Sequence, residues 1–142
     1  MKRVLYAVAI AALCLVTACG KNKQPDKQET KAPAVAGVWE LSDIVTKASI
    51  GSVNVSVYLA FASDGGFALY QKVGEGRYTK FTGTYTVDKS SLSGKYADGK
   101  AWGPYKAEVN GSTLTLVKEG GSETDTYRKI DAVPAEVTSN LY

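Results

Sequence analysis

The chain contains no histidine, and its two cysteines, Cys14 and Cys19, both fall near the N-terminus. Ser–His and Cys–His nucleophile pairs are therefore ruled out, and so is the commonest transition-metal ligand. Neither a disulfide nor a thiolate metal site forms in the rest of the chain. The carboxylates Glu40, Asp43, Glu108 and Glu119 are scattered, with no spacing that calls for paired acid/base work. "VGEGRY" (73–78) and "KEGGSE" (118–123) are glycine-rich, yet neither stands between a strand and a helix, so phosphate-loop readings fail. No enzyme, cofactor or metal site is expected. The formal net charge is +3, and Lys2 and Arg3 supply part of it at the extreme N-terminus. The remainder is near neutral, so no nucleic-acid footprint is expected. The groups left with chemical interest are the Cys19 thiol and the two tryptophans, Trp39 and Trp102.

Cys19 has a context. "MKRVLYAVAIAALCLVTACGKNK" has a basic start, an apolar run from Val4 to Val16 and a small-residue end. That is the anatomy of a secretory signal, too short for a spanning helix. Val16-Thr17-Ala18-Cys19 resembles the bacterial lipobox. The resemblance implies cleavage after residue 18 and acylation of Cys19 as the first mature residue, with residues 1–18 removed. Several acyl chains on one cysteine, at roughly 0.8 kcal/mol per buried methylene, hold a protein stably on a membrane. Gly20, rather than an aspartate, follows the cysteine. This resembles outer-membrane lipoproteins of Gram-negative bacteria, and the absence of an acidic cluster points to the periplasmic face. Residues 19–35, with "GKNKQPDKQETKAPAV" after the cysteine, have almost nothing to bury and read as a flexible tether.

The elements that must position the tryptophans come next, in a body spanning 36–131. The sequence is rich in Gly (14) and Tyr (9), which favours strands and turns. Apolar residues alternate with period two, and turn residues recur roughly every twelve positions, as in an all-β sandwich or barrel. The pattern predicts strands at 37–45, 53–61, 66–73, 79–87, 91–97, 104–109, 113–119 and 123–130. The second is cleanest, with Val53, Val55, Val57, Leu59 and Phe61 inward and Asn54, Ser56 and Tyr58 outward. Phe81, Tyr85 and Val87 are expected inward on the fourth. Thr126, Arg128 and Ile130 share a face of the last. No segment has convincing helical periodicity, and the tail 132–142 is ambiguous between packing and dangling. Eight consecutive antiparallel strands close into an up-and-down barrel, which removes exposed edges.

The connections are unequal. Asp64-Gly65, Asp88-Lys89-Ser90 and Asn110-Gly111 carry hairpin chemistry at one end. Lys47–Ser52, Gly74–Tyr78 and Asp98–Gly103 are longer and lie at the other, with Gly120-Gly121 the short exception. One end is therefore tight and the other loop-lined, as in a cup. Trp39 begins the first strand at the tight end, and Arg128, in "TYRKI", finishes the last strand there. Barrel closure pairs those strands and predicts a guanidinium–indole contact.

With "GVWELS", "FASDGGFALY", "GTYTVD", "TLTL" and "YRKI", the body resembles the lipocalins and the wider calycin superfamily. Gly37 and Trp39 match the G-x-W motif of that family. The resemblance implies that a late-strand arginine packs across this tryptophan at the closed base, a place Arg128 fits. The small lipocalin-like lipoproteins of Gram-negative bacteria are similar in general look. No T-D-Y motif and no long C-terminal helix are present.

Trp39 is thus expected to be a structural plug. The inner positions nearest the loose end are Val53, Val55, Gln71, Val73, Phe81, Tyr96, Tyr105 and Leu116, with Trp102 and Ile50 overhanging from loops. An indole in the Gly/Pro loop "DGKAWGPY" covers the core or touches a ligand. Gln71 and the Tyr96 hydroxyl can orient a polar group. These residues lead to an expected non-catalytic protein that binds a small apolar or amphipathic molecule at the loop-lined end. The alternative is an envelope module with a filled barrel that holds or inhibits a protein. Nothing in the sequence indicates an oligomeric state.

Overall fold

The computed structural model describes residues 33–45 and 54–142. Eight strands form one closed antiparallel barrel in sequence order. They are β1 (Gly37–Val45), β2 (Val55–Phe61), β3 (Gly66–Val73), β4 (Thr79–Asp88), β5 (Ser91–Tyr96), β6 (Ala101–Asn110), β7 (Thr113–Lys118) and β8 (Thr124–Ile130). The expected up-and-down barrel is the observed one. Its closure pairs β1 with β8, with Val38 opposite Ile130 and Glu40 opposite Arg128. Every strand thereby satisfies both edges of its backbone.

Alternation sends one set of side chains into the barrel. Trp39, Leu92 and Leu114 are completely buried there, with Val35, Phe61, Phe67, Ala107, Leu116 and Tyr127 packed around them. Trp39 has 0% of its surface exposed. Its Nε1 donates to the Val35 carbonyl oxygen at 2.8 Å, so the segment entering β1 folds under the barrel and holds the indole in place. The base is sealed by a tryptophan whose single donor is satisfied.

The cation over that indole differs from the expected one. Lys129 places its Nζ 5.6 Å from the Trp39 ring centroid. Arg128 points to the outer wall, where its Nε and Nη2 donate to Glu40 Oε2 at 2.8 and 2.6 Å. Strand parity is the reason. Tyr127 is buried in the barrel core, so Arg128, its neighbour, must face out, and Lys129 shares Tyr127's side.

Two connections also depart from expectation. The Asp98–Gly103 segment is not a long loop, because β6 begins at Ala101. The hairpin closes through Tyr96 N donating to Lys100 O at 2.8 Å and Lys100 N to Asp98 Oδ1 at 3.0 Å. The β7–β8 connection is longer than Gly120-Gly121, running from Glu119 to Glu123. The Lys47–Ser52 connection lies outside the described residues, as do Cys19, Ile50 and Val53.

The tail packs rather than dangles. Residues Ala135–Ser139 form a short helix, α1, whose Val137 is fully buried. It covers Tyr58, Tyr70 and Tyr78 on the outer wall, joined by Ala68, Ile130, Val133 and Leu141. Leu141 bridges to Tyr78, and Tyr78 N donates to Asn140 O at 2.9 Å. Tyr58 therefore points outward, as its strand position requires, yet is buried under the tail. Burial first, and the neighbouring Glu40 charge second, push its hydroxyl up to about 12.

Candidate functional site

The base is filled by side chains, but the opposite half is not. A cavity of about 290 Å³ opens there. Leu59, Phe61, Phe67, Leu116 and Tyr127 line it toward the core, and Val57, Leu69, Gln71, Tyr96, Trp102, Tyr105 and Asp125 complete the lining. Each comes from the inward parity of its strand, and neighbouring strands bring them together: Val57 stands opposite Gln71, and Leu116 opposite Asp125.

Trp102 reaches the cavity by a local irregularity. Leu92 pairs with Tyr105 but Gly94 pairs with Trp102, so β6 carries one extra residue at Gly103-Pro104. Without that bulge Trp102 and Tyr105 would face opposite sides of the sheet. With it both rings turn inward, 6.5 Å apart. Gly103 takes a positive φ of 83°, the conformation a bulge glycine supplies without strain. Glycine also opens the wall on either side. A Cβ on Gly94 would stand 2.7 Å from the Trp102 ring, and one on Gly83 would stand 2.7 Å from Phe67. The two aromatic rings occupy the space those glycines vacate.

The rings form a chain from the rim into the core. Phe81 meets Tyr96 at 5.9 Å, Tyr96 meets Phe67 at 5.8 Å, and Phe67 meets Trp102 edge-on at 4.9 Å. Such separations are the favoured range for tilted aromatic pairs. Trp102 Nε1 is buried and has no hydrogen-bond partner among the described residues.

The polar members concentrate toward the open end. Asp125 is half-buried, and burial first, with the Glu123 charge second, raises its carboxyl above the ordinary range. Burial likewise raises the Tyr105 hydroxyl, with Asp125 adding to the effect. Tyr127 is raised further, again by burial first, and stays protonated through the physiological range. None of these groups is arranged as a nucleophile–base pair; together they make an apolar pocket with a polar rim and one carboxylate.

Of the positions singled out in the sequence, Gln71, Tyr96, Trp102, Tyr105 and Leu116 line the cavity. Val55 and Val73 pair with each other at the rim, outside the lining, and Val73 is 56% exposed. Phe81 also sits at the rim, 41% exposed, and touches the site through Tyr96. Gly37 and Trp39 lie at the base, outside the cavity lining but opposite Phe61 and Leu59, which form its floor; Arg128 lies on the outer wall. Asp125 escaped sequence reasoning. "ETDTYRKI" carries polar residues at both parities, so only Tyr127, two residues on, signals that Asp125 faces in.

A closed meander of eight strands, plugged at one end and hollow at the other, is the architecture of a lipocalin-type barrel. The chain belongs to the family described as the lipocalin-like domain, which it matches over residues 35–116. Its fold is similar to the crystal structure of a lipoprotein, YedD, from Klebsiella pneumoniae subsp. pneumoniae. The two share 16% identity over 76% of this chain and 84% of that one, with a TM-score of 0.51. No curated protein sequence matches the chain.

Proposed function

We propose that this protein is a membrane-anchored, non-catalytic lipocalin-like lipoprotein that binds a small apolar or amphipathic molecule at the loop-lined end of its barrel. The observation that carries the reading is the 290 Å³ cavity, walled by apolar and aromatic side chains and rimmed by Gln71, Tyr96 and Asp125. That volume is at the low end for small-molecule sites, so the ligand is small or only partly enclosed. Affinity comes mostly from apolar burial, at about 25 cal/mol per Å² before ordering costs.

The anchor is Cys19, acylated after signal cleavage within Val16-Thr17-Ala18-Cys19, with residues 19–35 as the tether. The similarity in fold to the lipoprotein YedD supports the same address, the cell envelope. Gly20 after the cysteine supports the outer membrane, and the lack of an acidic cluster after Cys19 supports its periplasmic face. Native mass spectrometry of the protein purified from its own host, and tryptophan quenching with a fatty-acid and isoprenoid panel, test the binding role. A bound species or saturable quenching is expected. A barrel that carries nothing and responds to no probe refutes it and leaves the protein-interaction alternative.

A further inference from the structure

Asp125 is the one charged side chain among the described residues of the cavity lining. It stands at the open end of β8, between Ile44 of β1 and Leu116 of β7. The ion pairs among the described residues are Lys100–Asp98 and Arg128–Glu40, so no described lysine or arginine neutralises it. Its charged neighbour is Glu123, which opposes ionisation. A half-buried carboxylate without a counter-ion costs stability. A site that tolerates such a group gains from a ligand that supplies the charge no described residue provides.

The aromatic walls agree. The linked rings of Phe81, Tyr96, Phe67, Trp102 and Tyr105 carry electron-rich faces, which attract cations. Tyr105 lies close enough to Asp125 for the carboxylate to influence its hydroxyl. A carboxylate and ring faces both favour a cation, and both disfavour an anion.

The geometry points to an organic cation with a short apolar tail, a primary amine or quaternary ammonium, as the ligand class, its charge held by Asp125 and the Trp102–Tyr105 rings. The tail extends toward Leu59 and Phe61 below. This deepens the cavity-binding reading and rests on it.

The test uses probes that share one tail: octyltrimethylammonium, octylamine, octanol and octanoate, each titrated by calorimetry and tryptophan fluorescence. The two cations are expected to bind about tenfold tighter than octanol, with octanoate weakest, the scale of a partly desolvated charge and ring contact. Asp125→Asn keeps the side-chain volume. It is expected to weaken the cations about tenfold while leaving octanol unchanged, with near-UV circular dichroism confirming the fold. The wild-type ranking alone suffices if the variant fails to fold. Octanoate binding as tightly as the cations overturns the inference, as does a cation preference that survives Asp125→Asn. Equal binding of all four overturns the cation assignment and leaves the apolar cavity standing. No binding by any probe, octanol included, removes both.

Discussion

Replacing Trp39 by alanine tests the sealed base most directly. The side chain is fully buried, so truncation removes an entire indole from the core. Aromatic-to-alanine changes in cores cost about 3–5 kcal/mol. The hydrogen bond from Nε1 to Val35 O is lost as well, a net effect of about 1 kcal/mol that falls within the same range. For a domain of this size each kcal/mol lowers Tm by roughly 4 °C, so the drop is roughly 12–20 °C. Trp39→Phe separates the two contributions. It keeps most of the apolar volume but leaves the Val35 carbonyl without its donor, and should cost about 1–3 kcal/mol. Urea denaturation followed by circular dichroism gives both values. The identity of the cation is tested alongside. Lys129→Ala removes the contact over the ring and should cost about 0.5–1 kcal/mol. Arg128→Ala breaks only a pair whose arginine is 68% exposed, and should cost no more than about 1 kcal/mol. The cycle Trp39→Leu with Lys129→Ala, in which leucine removes the ring face, should show coupling, and that with Arg128→Ala none. A Trp39→Ala protein that loses less than about 1 kcal/mol, or coupling to Arg128 instead of Lys129, refutes the reasoning.

Three further outcomes follow from the packing. Gly94→Ala places a Cβ against the Thr84 carbonyl oxygen and 2.7 Å from the Trp102 ring. It should destabilise by about 1–3 kcal/mol and shift Trp102 fluorescence, both measurable in one urea titration. Val137→Ala removes two fully buried methyl groups by which the tail packs on the outer wall, worth about 1.5 kcal/mol, and should speed proteolysis near the C-terminus. The third concerns pH. Burial raises the Asp125 carboxyl above its ordinary value of 3.8 in the folded protein, so the folded state holds that proton more tightly than the unfolded one. The resulting stability is fully present below the unfolded value and is lost as pH rises through the folded value. Asp125→Asn abolishes this loss. Its Tm should therefore exceed that of the wild type at neutral pH, with the gap closing below about pH 4, and a gap that is constant with pH excludes the buried carboxylate.

Much of the barrel was legible because a strand's two faces differ wherever one is apolar. "VNVSVYLAF" and "TLTL" alternate without ambiguity, and Asp64-Gly65 and Asn110-Gly111 mark their turns, so strand number, order and closure follow from local pattern. Trp39 as an interior residue at the base follows from the same pattern. The cavity was legible in part: Gln71, Tyr96, Tyr105 and Leu116 sit at inward positions that period two predicts. Trp102 joins them only because β6 bulges at Gly103-Pro104, chemistry that reads locally as a loop.

The remaining features depend on contacts between distant segments. "TDTYRKI" is polar at both parities, so Tyr127 is its one local sign of which residues enter the barrel. Pairing to β1 and β7 puts Asp125, Tyr127 and Lys129 on the inner side and sends Arg128 out to Glu40. Tyr58 looked like a surface residue until the C-terminal segment folded across it. The sequence by itself thus determined the strands, their order and the plugged end, because those follow from alternation and turn chemistry within a few residues. Only the tertiary structure decided which cation meets Trp39, which carboxylate enters the cavity and what covers the outer wall. Register and docking between segments far apart in the chain set those contacts, and no local period encodes them.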